Sequence, residues 1–275
     1  MIFILIPIFN RKELTLACLA SFAKQSYKNY ELVIVDDGST DGSGDAIKKM
    51  YPEATIIRGD GNWWWTKSMN EGLRFILPRS KPGDFVLTIN DDVEIDPNYL
   101  QTLVDISISN ERAIVGSIVK NFYDNTWIQD AGVNVDWKKF VFLKQQNTGG
   151  NKINKDIDTL ACRGLLVPVE VFHKIGVFNT ILPHYSADYV FSMRAKRLGF
   201  KLLMSYEAVV YNKDRPGNKE FPFWQRYWSR RSSSNVPMQI GLALLGAPSI
   251  YLKIKCIAII LARFVRAFFA YLFKK

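Results

Sequence analysis

Three short stretches of this 275-residue chain carry side chains that could do chemistry. In "NDDVEID", Asn90, Asp91 and Asp92 follow directly on an apolar run. Carboxylates at a strand end are hard oxygen ligands suited to Mg²⁺ or Mn²⁺, and an ion held by one or two of them completes its shell with water and substrate phosphates. Asp96 precedes Pro97 and reads as a helix-start residue; on the residues alone, Asp91 and Asp92 fit either a metal site or a capping cluster. "VDDGSTDGS" places Asp36 and Asp37 at a second strand end, where a carboxylate can accept from a base N–H or a ribose hydroxyl, or close an Asx turn. "GDGNWWWTKSMNEGL" sets Trp63, Trp64 and Trp65 side by side. Three consecutive residues cannot face one way. Trp65 is expected to start a helix and pack inward, with Thr66 or Ser68 near its cap, while Trp63 and Trp64 line a loop as an aromatic wall.

These stretches need a frame that brings them together. "IFILIPI" is a continuous apolar run, as in a strand buried on both faces. A helix over 12–23, a strand at 32–35 ending in Asp36 and Asp37, a short helix at "GDAIKKM", a strand at "ATIIRG", a helix after the tryptophans and a strand at "DFVLTINDDVEI" follow in turn. Strand alternating with helix over some ninety residues predicts an α/β fold with a doubly wound sheet. Ligands of such sheets bind at the carboxyl ends of the strands, where Asp36, Asp37, the tryptophan loop and Asn90–Asp92 all fall. Farther along, 127–143 reads as an aromatic hairpin, 147–156 as a polar flexible excursion, 159–176 as strand, turn and short helix, and "ADYVFSMRAKRLGF" as an amphipathic helix ended by Gly199. His173 reads as a structural residue of an amphipathic helix.

Composition narrows the class. Hydrophobic residues make up 48% and aromatics 13%, enough for a large core. Cys18, Cys162 and Cys256 are scattered without a CxxC spacing, so neither a zinc site nor a disulfide framework is indicated, and a reducing compartment is expected. The apolar start lacks a basic n-region and reads as a strand, not a signal peptide. Without GxGxxG or GxxxxGK[ST], neither a dinucleotide site nor a P-loop is indicated. The net charge of +10 is uneven: residues 1–193 hold 20 Lys/Arg against 23 Asp/Glu, residues 194–275 hold 16 against 3. Basic tails point to anionic surfaces. In 249–275, Lys255, Arg263, Arg266 and Lys274 share one arc of a helix whose opposite face is Ile, Leu, Ala and Phe. That pattern describes a helix lying in a membrane interface; packing on the protein or on another subunit is the competing reading.

"ILIPIFNRKELTLACLASFAKQSYKNYELVIVDDGSTDGS", "NDDVEI", "RGLLVPVEVFHKIGVFN" and "ADYVFSMRAKRLGF" together resemble the inverting family-two glycosyltransferases of GT-A fold, over about residues 2–215. The "GNxWWT…MNxG" loop and the "YxAD" segment resemble transferases of bacterial surface-polysaccharide assembly, rhamnosyltransferases among them. The resemblance implies a GT-A domain over 1–215, with a nucleotide-sugar half at about 1–110 and an acceptor half at 111–215, followed by a basic amphipathic helical tail at 216–275. Pro7 and Phe9 would lie beside the nucleotide, Asp37 would bond the pyrimidine with Asp36 supporting its turn, and Asn70 would face the nucleotide. Asp92 would bind Mn²⁺ or Mg²⁺, with Asp91 at the ribose or the metal shell. Asp188 matches the catalytic base, and Arg194 an ion-pair partner for its loop. His184, Arg226 and Arg230 are candidates for the acceptor or diphosphate side. Three departures stand out: Ala187 replaces an acidic neighbour of Asp188, Asn212 replaces a histidine, and Asn90 replaces the first aspartate of a strict DXD.

The function expected is transfer of a sugar, with inversion, from a UDP- or dTDP-linked donor to a lipid-linked glycan in surface-polysaccharide synthesis. The enzyme would sit at the cytoplasmic, inner face of the plasma membrane; homo-oligomers are compatible, and no nucleic-acid partner is expected. The competing classes are a nucleotidyltransferase on a similar sheet, against which the absence of a Gly-rich loop after the first strand counts, and a non-catalytic membrane-surface or nucleic-acid binder using the aromatics and arginines of 221–235.

Overall fold

A computed structural model describes residues 1–146, 150–213 and 221–273. The central strand β1 (Ile2–Ile8) pairs in parallel with β2 (Tyr30–Asp36) on one side and β4 (Phe85–Thr88) on the other, and β3 (Thr55–Arg58) extends β2. Helices α1 (Lys12–Ala23), α2 (Ser43–Met50) and α3 (Trp64–Ile76) make the crossovers. The all-apolar run of β1 follows from its place: Ile2, Ile4, Ile6 and Ile8 face a core with Leu19 and Phe22 of α1, while Phe3 and Leu5 face a second core with Met69, Leu73 and Ile76 of α3. Pro7 lacks an N–H and sits beyond Leu5, the last β1 residue paired with β4.

The sheet continues past β4 with mixed direction. Four further strands, β6 (Ile114–Asn121), β10 (Ile153–Asn154), β11 (Leu165–Pro168) and β12 (Leu202–Asn212), give the order β10-β12-β6-β11-β4-β1-β2-β3. Strand β11 runs antiparallel to β4 and to β6; β12 runs parallel to β6 and carries β10. The stretch expected as one strand through residue 95 is divided. After β4 the chain turns at Asn90–Asp92, and β5 (Val93–Ile95) crosses to pair antiparallel with the end of β12. That turn presents the carboxylates. Helix α4 (Tyr99–Ser109) covers one face, and α5 (Val169–Ile175) and α6 (Ala187–Arg197) the other. Strand β7 (Ile128–Asp130) pairs with β6, and β8 (Val133–Asp136) with β9 (Val141–Lys144) forms the expected hairpin. Of the excursion expected at 147–156, residues 147–149 lie outside the described residues, while Ile153 and Asn154 join the sheet.

Three helices close the chain: α7 (Phe223–Trp228), α8 (Val236–Gly246) and α9 (Ile250–Leu272). Helix α9 buries Cys256 and Ile260 against the core, and Phe223 of α7 stacks on its Tyr271 with centroids 4.5 Å apart. Arg263, expected in a basic arc turned to anionic headgroups, donates instead to the carbonyls of Lys139 (2.9 Å) and Phe140 (3.1 Å); Lys274 lies outside the described residues. The opposite side of α9 stays apolar and exposed at Ile254, Leu261, Val265, Phe269 and Leu272. No described helix is long and apolar enough to cross a membrane.

Candidate active site

The strand ends of β1, β2, β3 and β4 form one edge, and the segments that follow them meet there. Asp36 Oδ1 accepts from the Ser39 N–H at 2.8 Å and so closes the turn after β2. Asp37 is buried and its carboxylate is fully used: Oδ1 accepts from the N–H groups of Gly61 (3.0 Å) and Trp63 (3.2 Å), Oδ2 from Trp63 (3.0 Å) and Trp64 (3.1 Å). Asp37, expected to bond a base, thus also holds the loop that carries the tryptophans. These bonds stabilise Trp64 in a left-handed conformation, φ 59°, which a bulky residue adopts only when its surroundings over-determine it. Gly59 is required here because a Cβ would lie 2.7 Å from Asp37 Oδ1 and 2.9 Å from the Trp63 ring.

The tryptophans divide their work. Helix α3 starts at Trp64, one residue earlier than expected. Trp65 packs inward against Phe178, as expected, with centroids 5.2 Å apart. Trp63 leans on the core and on Gly59 beneath Lys67, so it anchors the loop instead of lining a site. Trp64 alone points across the edge, meeting His184 edge-on at 5.6 Å, with the Arg230 guanidinium 5.8 Å from its ring. Thr66 fixes this meeting by donating through its N–H to Pro183 O (3.1 Å) and through its hydroxyl to Leu182 O. Asn70 does not face the nucleotide side. It is buried, its Nδ2 donates to Phe178 O at 2.9 Å, and its Oδ1 accepts from Phe178 N at 3.0 Å, so both ends of the amide clamp α3 to the loop before His184.

The carboxylate pair lies beside this wall. Asp91 and Asp92 are buried, and one guanidinium nitrogen of Arg11 reaches both, at 3.3 Å from Asp91 Oδ1 and 2.9 Å from Asp92 Oδ2. Burial pushes the Asp91 carboxyl up to about 7, against the pull of Arg11 and with a further push from Asp92. Thr15 donates to Asp91 Oδ2 at 3.3 Å, while Asp92 Oδ1 is buried with no bond to any described residue. Among the described residues no three His, Cys, Asp or Glu side chains gather as a metal-binding group. Asn212 donates to Gln129 Oε1 at 2.7 Å and so replaces the family histidine with a contact inside the protein. The two carboxylates and the unpartnered Oδ1 of Asp92 are hard oxygen donors of the kind that fits a divalent ion.

Asp188 stands at the second position of α6. Its Oδ2 accepts from Cys162 N at 3.2 Å and its Oδ1 from Tyr189 N at 2.8 Å, so it bonds across to the 160–162 segment as well as to its own helix. Burial raises its carboxyl to about 6; the two N–H groups pull it down, and the nearby Asp130 pushes it up. Ser192 locks the approach, pairing with Thr159 Oγ1 at 2.7 Å and accepting from Leu160 N at 3.0 Å. Arg194 donates to the carbonyls of Ile175 and Val177 and makes no ion pair among the described residues, which corrects the expectation from its spacing. His184 Nδ1 is buried without a partner among the described residues, and burial, Arg231 and Arg11 all hold its imidazole towards the neutral form. Tyr185 ties this loop to Arg231 O at 3.2 Å. Arg226 is exposed on α7, and Phe9 is 46% exposed at the end of β1. Sequence reasoning passed over Arg11; its signal was a cation three residues after β1, at the same edge as both acidic strand ends.

Residues 3–176 match the family described as glycosyl transferase family 2. The chain belongs to that family. Among curated relatives, it is 29% identical to the glycosyltransferase GlyA of Streptococcus pneumoniae over 122 residues, 44% of this chain and 16% of that protein. An uncharacterised glycosyltransferase of Rickettsia conorii is 27% identical over 195 residues, 66% of this chain and 29% of that protein. The chain thus matches well under half the length of these relatives. Among solved structures, S. aureus TarS 1–349 in complex with UDP-GlcNAc superposes with a TM-score of 0.63 at 17% identity, over 94% of this chain and 71% of that one. GalNAc-T7 with UDP, GalNAc and Mn²⁺ superposes with a TM-score of 0.63 at 14% identity, over 78% of this chain and 44% of that one. The fold is GT-A, with the family's mixed sheet.

Proposed function

We propose that this protein is an inverting glycosyltransferase that moves a hexosyl or deoxyhexosyl group from a UDP- or dTDP-linked donor to a hydroxyl of a growing surface glycan. The observation that carries the reading is one sheet edge holding two different carboxylate environments. Asp91 and Asp92 form a counter-charged pair with an unpartnered oxygen, and Asp188 is a desolvated carboxyl raised to about 6. Burial raises Asp91 as well, so the geometry divides the roles: the pair bridged by Arg11 suits ligands, and the separate Asp188, held by the N–H groups of Cys162 and Tyr189, suits the base. TarS with UDP-GlcNAc and GalNAc-T7 with UDP and Mn²⁺ support a nucleotide-sugar donor.

In this reading Asp92 and Asp91 hold Mn²⁺ or Mg²⁺ against the donor diphosphate, and the bound ion would offset charge building on the leaving group. Arg230 and Arg231 add positive charge on the same side, and Trp64 offers a ring face to the donor. Asp188 takes the proton of the acceptor hydroxyl as it attacks the anomeric carbon from the face opposite the diphosphate. One displacement inverts that centre without a covalent enzyme intermediate. The neutral imidazole of His184, between Trp64 and Tyr185, can accept a hydroxyl hydrogen bond.

The tail supports an acceptor at a membrane. The exposed stripe of α9 from Ile254 to Leu272 lies opposite its packed face, with Lys255 and Arg266 on the flank between them. A helix of this kind lies in the interface of an anionic bilayer, here the inner face of the plasma membrane, where a lipid-linked acceptor presents its sugar. A thermal-shift panel of UDP-, dTDP- and GDP-sugars with Mn²⁺ tests the donor class. One nucleotide series should raise the melting temperature of the wild type and fail to do so in Asp92→Ala; no shift with any of them would reject the donor assignment.

A further inference from the structure

Asp91 and Asp92 are 4% and 5% exposed. Like charges this close and this dry need a counter-cation, because an uncompensated buried charge is strongly destabilising. Arg11 supplies it from another segment, at the start of α1, with its side chain 44% exposed at the mouth of the site. Arginine–carboxylate pairs frequently use two parallel bonds to one carboxylate, whereas here Nη1 reaches two carboxylates and Asp92 Oδ1 has no bond to any described residue. The anchor lies on the solvent side, so the side chain can leave without moving the core.

We propose that Arg11 is an exchangeable counter-cation for Asp91 and Asp92, displaced when a divalent metal arrives together with a nucleoside diphosphate. The inference rests on the metal-binding reading of Asp92. A guanidinium and a divalent ion repel each other at the same buried carboxylate oxygens. Metal alone must evict Arg11 and binds weakly. The negative charge of a diphosphate stabilises both cations at once, so the guanidinium can turn outward towards phosphate while the carboxylates turn to metal. Metal and nucleotide binding are then positively coupled through Arg11, and by linkage each strengthens the other equally.

The test is Mn²⁺ binding to the full chain, followed by the electron paramagnetic resonance signal of free Mn²⁺, with and without UDP. In the wild type, UDP should tighten Mn²⁺ binding. In Arg11→Gln, Mn²⁺ alone should bind about tenfold more tightly than to wild type, within the usual range of site-to-site coupling, and the added effect of UDP should shrink. Arg11→Lys keeps the charge and should stay close to wild type. Arg11→Met, which keeps the aliphatic stem, repeats the measurement should the glutamine variant melt low. An arginine that is only a structural pin predicts the reverse: equal or weaker Mn²⁺ binding in folded Arg11→Gln overturns the proposal while leaving the metal site standing. Failure of wild type to bind Mn²⁺ even with UDP overturns both.

Discussion

Asp188 allows the sharpest test of the chemistry. Its carboxyl is raised from 3.8 to about 6, chiefly by burial. A base must be ionised, so the active fraction is about one-tenth at pH 5 and about nine-tenths at pH 7. At saturating Mn²⁺, which keeps the Asp91 carboxylate ionised, the rate of nucleoside-diphosphate release with acceptor should therefore climb about tenfold between those pH values, with a slope of one below pH 6. Asp188→Asn removes the base and should lower turnover by about 10²–10⁴ while leaving nucleotide affinity unchanged. The stability sign is fixed by the same shift. Between pH 3.8 and 6 the unfolded chain binds fewer protons than the folded one, so stability falls as pH rises through that window and is level above it. The cost at neutral pH is at most about 3 kcal/mol. Asparagine avoids that cost but can accept from only one of the N–H groups of Cys162 and Tyr189, a loss of about 1–2 kcal/mol. Asp188→Asn should thus melt no lower than wild type at pH 8. A flat rate profile from pH 5 to 7, or near wild-type turnover in Asp188→Asn, would refute the base assignment.

Asn70→Ala should lose about 1–3 kcal/mol of stability, because the polar groups of Phe178 are left buried and unpaired; chemical denaturation measures this, and a folded protein with unchanged melting and weakened donor binding would return Asn70 to the nucleotide side. Trp64→Ala should weaken donor binding with a small effect on melting, whereas Trp63→Ala should do the opposite, since Trp63 packs on the core and Trp64 on His184. Calorimetry and melting on the two variants separate these effects, and equal profiles would disprove the division. Leu261→Glu with Val265→Glu on the exposed stripe of α9 should abolish sedimentation with anionic liposomes without changing the fold; persistent binding would remove α9 as the anchor.

The parallel half of the sheet was legible because burial on both faces demands apolar runs with no polar alternation, and "IFILIPI" and "ELVIV" have that form. The carboxylates at the strand ends were legible for the same reason: charged residues can end such a run only where the chain reaches the edge. Position in the chain alone could not decide what those carboxylates bind. Asp37 and Asn70 look like ligand contacts in sequence, yet Asp37 also accepts from the N–H groups of the tryptophan loop, and Asn70 is taken up by the backbone of Phe178, more than a hundred residues away. Nor does adjacency distinguish Trp63 from Trp64; the left-handed turn at Trp64 sends one ring to the core and the other to His184. The split of β4 from β5 depends on pairing with β12, which is formed far downstream. Residue type and pattern thus determined the sheet and which edge carries charge. The tertiary structure decided the partners, because a carboxylate or amide bonds whichever donor the fold brings within about 3 Å, and at Asp91 and Asp92 that donor is Arg11, eighty residues earlier in the chain.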